Sequence, residues 1–67
     1  MKTMKQAKME YVNRIEASYK KALANAKDEV DVDVILHYKG LADKPKNATL
    51  KNLRFATDII EAMAERG

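Results

Sequence analysis

Apolar positions recur along this chain in three blocks. In the first, Met4, Ala7, Tyr11, Val12, Ile15, Tyr19, Ala22, Leu23 and Ala26 keep helical spacing. At about 100° per residue they share one stripe about 160° wide, as on an amphipathic helix. Thr3-Met4-Lys5-Gln6 stands at its start and reads as a capping box, with Thr3 as N-cap and Gln6 reaching back. Lys8 interrupts the stripe near its beginning, so the first turns are expected to stay exposed or to snorkel. The pattern predicts a helix over about 4–27.

The second block supports two readings. Val30, Val32, Val34, Leu36 and Tyr38 alternate with Asp31, Asp33, Ile35, His37 and Lys39, the period of a strand over 30–38. Such a strand finds no partner in the chain, because both flanking blocks are helical, and would have to pair across a dimer. The same residues fit a helix over about 29–39. Asp28 can cap it, and Glu29 and Asp31 suit the positive end of its dipole. Gly40 then fits the left-handed position after the last turn, with Leu36 and Leu41 touching across a Schellman motif. The helix is the preferred reading; the strand stays open.

Leu41 to Asn47 reads as a linker, in which Pro45 turns Lys44 away from helix and Asn47 is placed to cap the third block. In that block, Leu50, Leu53, Ala56, Ile60, Met63 and Ala64 form the core stripe of a helix over about 48–66. Phe55, Ile59 and Ala62 lie beside it and widen the apolar arc to about 240°. Only Lys51, Arg54, Asp58, Glu61 and Glu65 define a solvent face. A peripheral helix needs an arc a little over 100° wide. The second block, if helical, is also apolar on two sides: Val30, Val34, Tyr38 and Leu41 on one, Val32, Ile35 and Leu36 on the other.

The pattern therefore predicts an all-α chain of two or three helices in a small bundle, one domain over 1–67. Its length matters here. A domain of this size buries only about 60% of the surface of its unfolded chain, and short domains usually add disulfides, a metal or a partner subunit. With no cysteine there is no disulfide framework and no thiolate site. Completion of the bundle by oligomerisation is expected, a dimer above all. The surplus face predicts an interface at Phe55, Ile59 and Met63, joined by Leu36 and Tyr38. The competing reading places the third helix centrally, buried on two sides within one chain.

Charge is banded. Bases dominate 1–27, acids 28–38, bases 39–54 and acids 55–67, so the net charge of +3 conceals a dipolar molecule. The 39–54 band suggests a second function class. Lys44, Lys46, Thr49, Lys51, Asn52 and Arg54 surround the start of the third helix, where they could meet phosphates or base edges if 30–66 were a helix-turn-helix. Against this, the connection from Gly40 to Asn47 is longer than the three or four residues usual in that motif. A solvated loop, or a patch that meets the acidic band of a neighbour, is the plainer reading.

Little in the chain suggests reaction chemistry. Asp31 and Asp33 match two steps of a calcium loop, but Ile35, Leu36 and Ala42 occupy its third ligand, turn glycine and bidentate glutamate positions. His37 is the single histidine and cannot complete a zinc site of usual type alone. Ser18 and Thr57 have no base at a suggestive spacing. No catalytic residue, metal or cofactor is expected. Lys20, Lys21 and Lys27 give the first helix a basic polar face, yet its apolar stripe is rich in Ala and Tyr, which favours packing over lipid. No secretion signal or membrane span is evident, so a cytoplasmic location is expected. The composite expectation is a non-enzymatic adaptor, regulator or inhibitor that self-associates and binds a macromolecule. A small DNA-binding regulator is the alternative.

Overall fold

A computed structural model describes residues 2–66. Three α-helices succeed one another: α1 (Met4–Ala24), α2 (Glu29–Asp43) and α3 (Leu50–Glu65), with a 3-10 turn over Pro45–Asn47. No strand occurs among the described residues, so the 30–38 block is helical. The expected capping box is present. Thr3 Oγ1 accepts from the Gln6 N–H at 3.1 Å, and Gln6 Oε1 accepts from the Thr3 N–H at 2.9 Å. Asp28 caps α2 by accepting from the Asp31 N–H at 3.0 Å.

The helices run up, down and up. Arg14 of α1 meets Glu61 of α3, and farther along Asn25 meets the last turn of α3, so these two helices share a direction. Lys39 of α2 meets Glu16 of α1, whereas Asp31 near the start of α2 meets Arg66 at the end of α3. α2 is thus antiparallel to both. The α1–α3 contact is the most extensive. Val12, Ile15, Ile35, Leu53, Ile60 and Met63 fill the core with five alanines. The alanines let the helices approach closely, but the core has few large side chains. Thr57 is buried among them, its hydroxyl donating to the Leu53 carbonyl at 2.7 Å.

Three boundaries differ from expectation. α1 ends at Ala24, where Asn25 takes the C-cap and turns its side chain to α3. α2 does not stop at Gly40 but continues to Asp43, and Gly40 has no positive φ. Burial of Ala42 and packing of Leu41 against the core outweigh the glycine's helix cost of about 1 kcal/mol. The chain leaves the helix at Lys44, the residue before Pro45. Asn47 does not cap α3, because it belongs to the 3-10 turn; Thr49 does, accepting from the Asn52 N–H at 3.0 Å. α3 therefore starts at Leu50 rather than 48.

The interior position of Gly40 gives a direct expectation. A Cβ built there meets nothing within 4 Å. Gly40→Ala should raise stability by about 0.5–1 kcal/mol. A higher urea midpoint with an unchanged m-value would show it; a lower midpoint would mean that α2 does not run unbroken through this position.

Candidate functional site

Two places on the surface combine exposed apolar side chains with polar neighbours. The first is the seam between α2 and α3. Two anchors set its geometry: Arg66 Nη2 lies 2.6 Å from Asp31 Oδ2 at one end, and the Tyr38 and Phe55 rings meet edge-on at 5.7 Å near the other. His37 adds a third ring, 5.1 Å from Tyr38. The Asp31 carboxyl is held below the usual carboxylate range, first by the Lys27 N–H and then by Arg66. Its contribution to stability is thus complete above the ordinary aspartate range and is lost as pH falls through the lowered value.

Phe55 dominates this seam. It is 53% exposed although its ring packs on Tyr38. It stands as a ridge between two shallow clefts, one lined by His37, Tyr38, Leu41 and Asn52, the other by Lys51, Asn52, Arg54 and Asp58. Ile59, one turn on, is half-buried beside the core, and Ala62 continues the same flank in the open. Val30, at the start of α2, is 67% exposed.

The five residues expected at the interface do not form one surface. Phe55, Ile59 and Tyr38 come together. Met63 is only 9% exposed and belongs to the chain's own core. α3 is buried on more of its circumference than a peripheral helix, because α1 and α2 both pack on it. Leu36 is exposed but stands two residues from Tyr38, about 200° round α2, and so faces away from the seam. Its exposure suits an interface; its angle removes it from this one.

The second place is the end of the molecule where α1 begins. Lys8 Nζ donates to the Pro45 carbonyl at 3.1 Å, which fastens the first turns of α1 to the 3-10 turn. Met4, Lys5, Lys8, Met9, Pro45 and Lys46 surround an open cleft of about 330 Å³ there. Lys44 extends the same end. Two basic bands far apart in the chain thus become one basic pole. Lys8 interrupts the apolar stripe, as its spacing predicts; it is half-buried, and Met4 remains exposed. Spacing does not place Met9 at a site, since it lies off the helical stripe; its only signal is an apolar residue on a polar face.

Of the residues in the DNA-binding expectation, Lys44, Lys46, Thr49, Lys51, Asn52 and Arg54 are all exposed. The Thr49 hydroxyl is already used as a cap. Beyond Arg54, the outer face of α3 carries Asp58, Glu61 and Glu65, which would repel a phosphate backbone. Glu61 is paired with Arg14 through two hydrogen bonds of 3.0 and 2.6 Å, which raise the arginine's pKa. Among the described residues no group of three or more His, Cys, Asp or Glu comes together to hold a metal, and no helix is long and apolar enough to cross a membrane. The chain matches no protein-family model, no curated protein and no solved structure.

Proposed function

We propose that this chain is a small non-enzymatic interaction protein, an adaptor, regulator or inhibitor, that pairs with a second copy of itself and binds another macromolecule. The observation that carries the reading is the exposed Phe55 ridge with a cleft directly beside it. A ridge and a cleft on one face are self-complementary under two-fold symmetry: the phenyl ring of each copy fills the cleft at His37, Tyr38 and Leu41 of the other. The economy of the core supports the same reading. Among the described residues five of the eleven core positions are alanine, so a second copy would add large apolar contacts that one chain lacks.

Sedimentation at rising concentration tests the pairing. The wild-type chain should pass from monomer to dimer, and Phe55→Asp should weaken dimerisation by about 2 kcal/mol or more, roughly thirty-fold, with helix content unchanged. A wild-type chain that stays monomeric throughout, or a variant that dimerises equally well, overturns it. The acids on the outer face of α3 weigh against the DNA-binding alternative. A steep loss of duplex binding with added salt would support that alternative instead.

A further inference from the structure

We propose that the cleft at the basic pole is a docking site for an acidic amphipathic segment of a partner protein, held by its carboxylates and by one large apolar side chain. The inference deepens the reading that this chain binds another macromolecule and rests on it. Charge supplies the first argument. Lys5, Lys8 and Lys46 line the cleft and Lys44 lies beside it, and none of the four is in an ion pair among the described residues. The nearby carboxylates are engaged elsewhere: Glu10 with Lys2 at 2.7 Å, and Asp43 with Lys39. No carboxylate lines the cleft. Uncompensated ammonium groups at one end of a chain with small net charge select an anionic partner.

The floor decides which anion. Met4, Met9 and Pro45 make it apolar, and Met4 is 60% exposed, so an occupant gains by filling the space as well as by neutralising lysines. Thioether side chains adapt to varied apolar shapes. A nucleic-acid strand would use the lysines but find no aromatic ring among the lining residues on which a base could stack. A lipid surface is bound by a long apolar helix face, whereas the apolar part of this site is three side chains, Met4, Met9 and Pro45. A helix with a Leu or Phe on one face and Glu along the flanks satisfies both features at once.

The test uses the full chain and a fluorescent synthetic helical peptide with leucines on one face and glutamates on its flanks. Anisotropy should rise on binding. Replacing the leucines by serine should weaken binding by about tenfold or more. Lys5→Glu with Lys46→Glu, both at exposed positions, should weaken it by about tenfold. Met9→Glu should act in the same direction, whereas Phe55→Asp should leave peptide binding unchanged while reducing self-association. That contrast separates failure here from failure at the seam. Equal binding of the serine peptide overturns the proposal, as does no binding of the leucine peptide. Binding only to a DNA duplex, or only to vesicles containing phosphatidylglycerol, overturns it in favour of a phosphate-bearing partner.

Discussion

Leu53→Ala should lower the unfolding free energy by about 2–5 kcal/mol. Leu53 is fully buried on the face of α3 that meets the other helices. The substitution removes the transfer energy of its lost carbons and leaves a cavity that closely packed helices cannot easily collapse into. The core has little reserve, because its alanines hold no side chain able to swing into the space. A domain of this length has about 3–10 kcal/mol of stability in all. The loss is therefore a large share of the whole. Far-UV circular dichroism through a urea titration would measure the loss. A change below about 1 kcal/mol would mean that Leu53 is not at the centre of the packing.

Asn25→Ala should cost about 1–3 kcal/mol, although the residue is neither apolar nor part of any helix. Its side-chain amide donates to the Met63 carbonyl at 3.2 Å and to the Ala64 carbonyl at 2.7 Å. Those carbonyls belong to the last turn of α3, which has no intrahelical donors left to satisfy them. One amide thus closes the end of one helix from the end of another. Asn25→Asp should be worse than alanine, because it replaces the donor with a negative charge at the negative end of the α3 dipole. Hydrogen exchange provides a local check. Protection should fall first in the last turns of α3 in both variants; uniform loss across the chain would show that Asn25 acts only through global stability.

These two residues illustrate how unevenly the fold can be read from the chain. Leu53 is evident from spacing, since it lies in a stripe that also holds Ala56, Ile60 and Ala64. Asn25 carries no such mark. It falls inside the helix that the spacing predicts over 4–27, and nothing local indicates that its side chain serves a partner nearly forty residues later. The same distinction holds at the ends of α2. Asp28 acts through its near neighbour Asp31, so its cap is legible. Gly40 reads as a stop because glycine favours one, yet the burial of Ala42 carries the helix past it. A local preference of about 1 kcal/mol yields to packing whose extent only the assembled helices define.

The candidate surfaces divide in the same way. Helical periodicity places Phe55 and Ile59 on one flank of α3 and Met63 in the core stripe beside it, but the width of the whole arc does not say how much of it a neighbouring helix will cover, so Met63 is also expected at the interface. Packing of α2 and α1 covers Met63 and spares Phe55. The basic pole depends still more on the arrangement in space. Lys5 and Lys46 are ordinary surface lysines along the chain, and they share a cleft because an up-down-up path returns the turn after α2 to the start of α1.

The first and third helices, the cap at Thr3 and the middle of the core are written in residue spacing, because each depends on side chains within a turn or two of one another; the spacing of 30–38 fits helix and strand alike, and the folded chain decides for the helix capped by Asp28. The length of α2, the shelter of Met63, the reach of Asn25 and the meeting of two lysine bands are not written in spacing, because each is settled by burial or charge between segments that touch only after the chain has folded back on itself.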